Sequence, residues 1–390
     1  MLQNRLLVLS KNYSLFLFGA RGVGKSTLVE NTYRIDTTQN TYINLLDTIV
    51  EDRFARNPME LVSIVDAMSH QEKYVVIDEI QKVPKLLDVV HLLIETKKCG
   101  KYFILTGSSA RKLKLAGVNL LAGRAFVNHL YPFSYLELGA QFDLASALLY
   151  GMLPGIFNFK APDEKQQFLR AYTLTYLKEE IWAEHLIKNL EPFRKFLEVA
   201  AQSNGKVINY LNIARDVGVD DKTVKNYFSL LEDTLLGFLL EPYHHSFRKR
   251  LHQAPKFYFF DVGVTRALAR MLSTVPMPGT SYFGDLFESF IVTECLKLAS
   301  YFQPDYKFSY LMTGAGVEID LVVERPGKPL LLIEIKSSNE IRAEDLRLLQ
   351  NMVTEMGSCE AVCFSNEIRK KKIGSVAIYP WDKGIAEYFQ

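Results

Sequence analysis

Residues 14–28 read SLFLFGARGVGKSTL, and this stretch decides the architecture. The apolar run Leu15, Phe16, Leu17 and Phe18 stops at Gly19, and five residues later come Gly24, Lys25 and Ser26. G-x-x-x-x-G-K-[ST] between a strand-like run and a helix-like one is the pattern of a phosphate-binding loop. The glycines let backbone N–H groups turn inward around phosphate oxygens, and a helix starting near Lys25 adds the positive end of its dipole. Lys25 would reach the β/γ-phosphates and Ser26 would hold Mg²⁺. The candidate nucleotide site is therefore Gly19, Ala20, Arg21, Gly22, Val23, Gly24, Lys25, Ser26 and Thr27.

Beyond the loop, the spacing predicts a helix over 25–33, a strand over 41–46 and two helices within 47–69, divided at Asn57-Pro58. Residues 74–79 then read YVVIDE. An apolar run ending in Asp-Glu fits a buried parallel strand whose carboxylates emerge at its C-terminal edge, where ligands of open α/β sheets bind. Asp78 would meet the Mg²⁺ shell, Glu79 would polarise the attacking water, and Gln81 lies near enough to sense the same region. A helix over 84–98 and a strand over 102–106 follow, the strand running into Gly107, Ser108 and Ser109. A hydroxyl at Ser108 suits a γ-phosphate sensor, although Ser and Gly are also ordinary turn residues. Arg124 precedes a last apolar run, 125–130. Its guanidinium could stabilise charge on the γ-phosphate, in cis or from a neighbouring subunit, or could be a surface arginine; Arg111 is the second candidate.

These landmarks resemble the AAA-type ATPases that carry an arginine inside the phosphate loop, here Arg21. That group shares YVVIDEIQKVP at 74–84, TGSS at 106–109, and AGR at 122–124 followed by YPFSYLEL at 131–138. The resemblance covers residue 14 to about residue 140 and implies ATP binding and hydrolysis. It resumes at YFFDVG, 258–263.

The bulk numbers are those of an ordinary folded protein: 390 residues, 48% hydrophobic, 23% charged and 12% aromatic. That length suggests two or three domains. A net charge of +2 means that any nucleic-acid contact must come from local patches. Cys99, Cys295, Cys359 and Cys363 are sparse and lack paired zinc spacing, which suits a reduced, cytoplasmic protein. The first ten residues lack a signal-peptide layout, and no apolar run approaches the roughly 20 residues of a membrane span.

Residues 141–190 read as a helical connector, with one long helix over 163–184. Residues 191–255 carry a sharper pattern. A helix over 196–201 is followed by one over 210–217 ended by Gly218, and by a third, capped by Asp220 or Asp221, running to about residue 236. This is a helix-turn-helix signature, and 242–259 could supply a wing hairpin with a basic cluster of Arg248, Lys249, Arg250, His252 and Lys256. Lys222, Lys225, Asn226 and Ser229 could face a DNA groove. Asp216, Asp220 and Asp221 offset the neighbouring cations, so backbone contact through the basic cluster is favoured over base readout.

In the last third, a helix over 285–299 contains Glu288, residues 316–323 read GVEIDLVV, and 329–337 read PLLLIEIKS around a turn at 325–328. Asp320 thus lies on one strand of a hairpin, with Glu334 and Lys336 on one face of the other. The continuous apolar run 330–333 suggests a strand covered on both faces, where a Glu and a Lys need partners. The pattern resembles the PD-(D/E)xK nuclease superfamily, without the proline that names the motif. The resemblance implies Mg²⁺ held by Asp320, Glu334 and the Ile335 carbonyl, Lys336 positioning water, and Glu288 and Gln350 as further polar members. The same residues fit an inactive copy. The basic run 369–372 reads as a solvated loop or a guide for a polyanion.

The expected fold is α/β. It comprises an AAA-like domain with a parallel sheet (1–140), the connector (141–190), a winged-helix-like module (191–255) and a restriction-endonuclease-like α/β domain (256–390). The expected function is Mg²⁺-dependent ATP hydrolysis acting on or regulated by DNA, with a nuclease site, a silent nuclease fold, or a switch for a protein partner or homo-oligomer as the outcomes to separate.

Overall fold

The structure, a computed structural model, describes residues 4–33, 40–108, 113, 121–176, 190–243, 253–313 and 318–390. The chain divides into two compact units, residues 1–133 with 233–236, and residues 134–232 with 237–390.

The first unit is built on a five-stranded parallel sheet in the order β2-β3-β4-β1-β5: β1 (Ser14–Phe18), β2 (Thr41–Asn44), β3 (Tyr74–Asp78), β4 (Tyr102–Gly107) and β5 (Ala125–His129). Parallel neighbours need crossovers, and helices α1 (Lys25–Tyr33), α2 (Thr48–Arg56), α3 (Glu60–Ala67) and α4 (Leu86–Glu95) follow strands in the way the sequence predicts. The central strands are apolar throughout because both faces are covered, with Phe16, Phe18, Val75, Ile77, Phe103 and Leu105 in one core with Leu61, Leu87, Val90 and Leu93. The edge strand β5 instead exposes Phe126 and Val127. Asp47 caps α2 through the N–H of Ile49, 2.9 Å away. The register pairs Phe18 with Gly107 and Ile77 with Leu105, so the C-terminal ends of β1, β3 and β4 lie side by side.

The second unit carries a mixed eight-stranded sheet, β12-β13-β11-β10-β9-β8-β6-β7. Its strands are β6 (Gly237–Pro242), β7 (Lys256–Phe259), β8 (Lys307–Met312), β9 (Glu318–Glu324), β10 (Leu330–Lys336), β11 (Cys359–Ser365), β12 (Lys371–Ile373) and β13 (Val376–Pro380). The long helix Ser281–Phe302 packs against β10 and the helix Trp381–Phe389. The helix Arg347–Met356 sends Leu349 and Met352 into a core with Leu332, Val322 and Ile319. Leu331, Leu332 and Ile333 are fully buried, as a strand covered on both faces requires.

Three helices, Leu190–Gln202, Tyr210–Val217 and Asp221–Asp233, precede β6. Gly218 ends the second in the left-handed region (φ 79°), and the Asp220 carboxylate accepts from Thr223 N at 2.6 Å to start the third. That third helix stops at Asp233 rather than near residue 236. The predicted helix 163–184 is α-helical over Pro162–Ala171 and turns π-helical at Tyr172–Tyr176; its remainder, 177–184, lies outside the described residues. The DVG of the YFFDVG landmark has a packing role. Buried Asp261 accepts from Met152 N (2.6 Å) and Val264 N (3.0 Å), and a side chain at Gly263 would collide with the Tyr150 carbonyl.

Candidate functional site

The loop of the first unit is shaped by its glycines. Gly22 and Gly24 adopt positive φ (75° and 96°), which side-chain-bearing residues avoid. A Cβ on Gly19 would lie 2.4 Å from the Leu130 carbonyl oxygen, so the end of β1 can pass this close to the end of β5 only as glycine. Leu28 N donates to Gly24 O (3.0 Å), which begins α1 directly behind the loop. Lys25 is 6% exposed; its Nζ donates to the carbonyls of Gly19 (2.8 Å) and Ala20 (3.4 Å) and stands 4.0 Å from Glu79 Oε1. Ala20 and Val23 are buried, whereas Arg21, Gly22 and Thr27 are exposed.

Asp78, 3% exposed at the end of β3, is held by hydroxyls. Its Oδ2 accepts from Ser26 Oγ (3.1 Å) and Tyr42 OH (2.8 Å), and its Oδ1 from Thr106 Oγ1. Burial, and then the charge of Asp78, pushes the Tyr42 phenol well above its ordinary value, so Tyr42 stays a donor. Glu79 occupies the left-handed region (φ 60°), a strained backbone for glutamate. Thr106 Oγ1 accepts from Glu79 N at 3.2 Å, and Gln81 Nε2 donates to Glu79 Oε2 and to Ser108 Oγ (3.2 Å). The Gln81 oxygen is buried and makes no hydrogen bond. Ser26 Oγ and Asp78 Oδ2 are hard oxygen donors in contact, the small protein complement that Mg²⁺ takes beside phosphates, so these residues fit that ion.

The structure therefore brings Lys25, Ser26, Asp78, Glu79, Gln81 and Ser108 together, and it adds Tyr42 and Thr106. It does not bring Arg124 to them. The Arg124 guanidinium pairs with Glu95 at 2.5 Å and with its own neighbour's carbonyl, Ala122 O, at 3.0 Å. Arg111 and Ser109 lie outside the described residues.

In the second unit, β9 and β10 pair antiparallel with Leu321 opposite Ile333, and continuing that register sets Asp320 across from Glu334. Asp320 Oδ2 accepts from Ile335 N at 2.7 Å, and Glu334 pairs with Lys336 Nζ at 2.6 Å. Burial, then the Glu334 and Glu288 carboxylates, push Asp320 well above the usual carboxylate range. Burial also raises Glu334, against the pull of Lys336. Burial pulls Lys336 down, but Glu334 and Asp320 prevail and hold it above its ordinary value. Glu288 accepts from Tyr258 OH at 2.7 Å and faces Lys256 at 3.5 Å.

Lys256 is thus no member of a solvent-facing basic wing. It is 2% exposed, and it pairs with Glu288 and Glu318 because β7 turns its side chain inward. Arg248, Lys249, Arg250 and His252 lie outside the described residues, as do Gly316 and Val317. Gln350 donates to Ile373 O (3.0 Å), a tie between helix and β12. Of the basic run 369–372, Lys371 pairs with Glu367 and its Nζ donates to Ile341 O. Hard carboxylate oxygens suit Mg²⁺ by chemistry. As arranged they do not fit it: each has its own internal partner, and among the described residues no group of three or more His, Cys, Asp or Glu side chains is set to hold a metal ion.

A family model described as an AAA domain matches residues 11–139, a domain of unknown function (DUF8612) matches 141–274, and a second (DUF4143) matches 283–383. Uncharacterized proteins of Mycobacterium tuberculosis and Mycobacterium bovis are each 25% identical over 279 residues, 70% of this chain and 62% of theirs. The chain thus spans about three fifths of the length of these mycobacterial relatives. An uncharacterized protein of Methanocaldococcus jannaschii is 22% identical, covering 95% of this chain and 84% of its own. Among solved structures, domain III of the Thermotoga maritima replication initiation protein DnaA is 19% identical over 57% of this chain and 85% of that one, with a TM-score of 0.27. Drosophila ORC bound to AT-rich DNA and Cdc6 is 10% identical over 67% and 86%, with a TM-score of 0.22. Scores this low leave the fold argument to the chain's own strand order. The chain carries a nucleotide-binding AAA domain of the phosphate-loop type, followed by two domains of unknown function. No helix among the described residues is long and apolar enough to cross a membrane.

Proposed function

We propose that the first unit binds ATP with Mg²⁺ and hydrolyses it, and that the second unit ties this cycle to DNA. The observation that carries the first half is the contact of Ser26 Oγ with Asp78 Oδ2 beside the Lys25 loop, with Glu79 next in sequence. Lys25 would exchange its loop carbonyls for β/γ-phosphate oxygens, and the α1 N–H groups would cradle the remainder. Ser26 and Asp78 would hold Mg²⁺, which supplies charge neutralisation on the phosphates. Glu79 would orient and deprotonate the attacking water; Gln81, which also donates to Ser108 Oγ, tethers its carboxylate until a γ-phosphate competes for that amide. Arg124 would act only after leaving Glu95, in cis or on a neighbouring subunit.

The three helices and the β6–β7 pair support a winged-helix-like reading, and the order helix, three strands, helix, strand over 281–365 supports a restriction-endonuclease-like one. The third helix exposes Lys222, Lys225, Asn226 and Ser229, the face that would meet a phosphate backbone. Lys225 is partly committed to Asp221, 3.1 Å away, which argues for weak, salt-sensitive contact rather than base readout. The self-paired state of Asp320, Glu334 and Lys336 favours a silent nuclease fold over an active one. ATP turnover with and without duplex DNA tests the coupling, and plasmid with Mg²⁺ or Mn²⁺ tests cleavage. Stimulation without cleavage is the expected pair. Cleavage abolished by Asp320→Ala would restore the active-nuclease reading, and turnover indifferent to DNA would point to a protein-partner switch.

A further inference from the structure

Lys256 opens β7 with its side chain only 3% exposed. Two strands, β8 and β6, separate β7 from β9 in the sheet, yet the Lys256 ammonium reaches Glu318 of β9 in an ion pair and stands 3.5 Å from Glu288 Oε1 of the long helix. It also lies 5.5 Å from the centre of the Tyr310 ring. Tyr258, on the same face of β7, ties Glu288 from the other side. Glu318 and Asp320 share a face of β9, and the register sets Asp320 across from Glu334.

Four carboxylates, Glu288, Glu318, Asp320 and Glu334, therefore gather at one end of these elements with two lysines. Lys336 is spent on Glu334. Buried charge persists only when paired, and carboxylate oxygens are the ligands that a hard divalent cation takes. We infer that Lys256 is the built-in cation of this cluster, neutralising Glu288 and Glu318 in place of a divalent metal, so that the cluster holds together without one. Its position is fixed from the backbone. Lys256 pairs with Leu240 of β6 and bridges to Val207, which lies three residues before the helix Tyr210–Val217. The ammonium is thus seated by the segment that carries the three helices. This deepens the silent-fold reading, but it is read out separately from cleavage.

The test is Mn²⁺ uptake by the full chain without nucleotide, measured as loss of the free-Mn²⁺ paramagnetic resonance signal, in an Asp78→Asn background that removes the β3 carboxylate beside the phosphate loop. With Lys256 intact, no Mn²⁺ binds that Asp320→Asn or Glu288→Gln can abolish. Lys256→Met gains one Mn²⁺, bound at least about tenfold tighter than any in its parent, a difference of about 1.4 kcal/mol, and Asp320→Asn removes it. Lys256→Arg, which keeps the charge, behaves as its parent does. Mn²⁺ bound with Lys256 intact and lost on Asp320→Asn overturns the inference, as does a folded Lys256→Met that gains none. Should Lys256→Met not fold, the parent and Lys256→Arg measurements still decide. DNA cleavage by the parent would count against the silent fold; only the metal count judges Lys256.

Discussion

Asp78 and Asp320 are both aspartates on strands of a sheet, and their surroundings are opposite. Asp78 is held by three neutral hydroxyls, those of Ser26, Tyr42 and Thr106. Asp320 has a backbone N–H, two carboxylates that repel it and lysines committed to those carboxylates. Hydroxyls yield easily to a metal ion and phosphates because they give up no charge. A carboxylate cluster closed by its own ammonium groups must break ion pairs first. The proposed nucleotide site would thus be prepared for a ligand, and the carboxylate cluster would be neutralised already.

The largest expected effect concerns the prepared site. Glu79→Gln should bind ATP within a few-fold of the parent, while the hydrolysis rate falls about 10²–10⁴-fold, the range for losing a general base. Nucleotide titration and steady-state turnover on the same sample separate the two. Equal losses of binding and rate would make Glu79 a binding residue instead. Next, Thr106→Val removes the hydroxyl shared by Asp78 Oδ1 and Glu79 N. Leaving those buried groups short of a partner should cost about 2 kcal/mol of stability, read by urea unfolding. No change would mean that Asp78 has enough donors without β4.

The smallest effect lies in the neutralised site and depends on pH. Asp320 and Glu334 both titrate above their unfolded values. The folded state therefore keeps protons that the unfolded state has lost, and stability falls as pH rises from the ordinary carboxylate range through the raised folded values. Asp320→Asn removes one repelling charge and keeps an acceptor for Ile335 N. It should melt above the parent at neutral pH, with the difference shrinking as pH is lowered toward 4. A lower melting temperature at neutral pH would show that Asp320 is paired by a cation more strongly than its carboxylate neighbours repel it.

How much of this was legible in the sequence follows from locality. The loop, its helix and the YVVIDE strand are continuous segments, so spacing alone located Lys25, Ser26, Asp78 and Glu79. Tyr42 and Thr106 act across strands: Tyr42 pairs with Val76 and Leu17 with Thr106, a register that no single segment encodes. Hydroxyls on apolar strands carry no signal beyond their polarity. The Arg124 pairing with Glu95 was out of reach of the sequence because the two come from different elements, 29 residues apart. Lys256 follows the cations at 248–252 closely in sequence, yet it heads an apolar run, KFYFF. Glu334 and Lys336 inside LLLIEIK need partners, and so does a lysine at the start of such a strand. Its partners, Glu288 and Glu318, were out of reach because they come from another helix and a distant strand.

The phosphate loop is the proposed engine of the molecule. The direct measurement is Mg²⁺-dependent ATP hydrolysis by the full chain and by Lys25→Ala, each shown to be folded by its far-ultraviolet dichroism. Turnover is expected for the parent and none above background for the variant, because the Lys25 ammonium would neutralise charge on the β/γ-phosphates. Hydrolysis by Lys25→Ala at the parent's rate would contradict it.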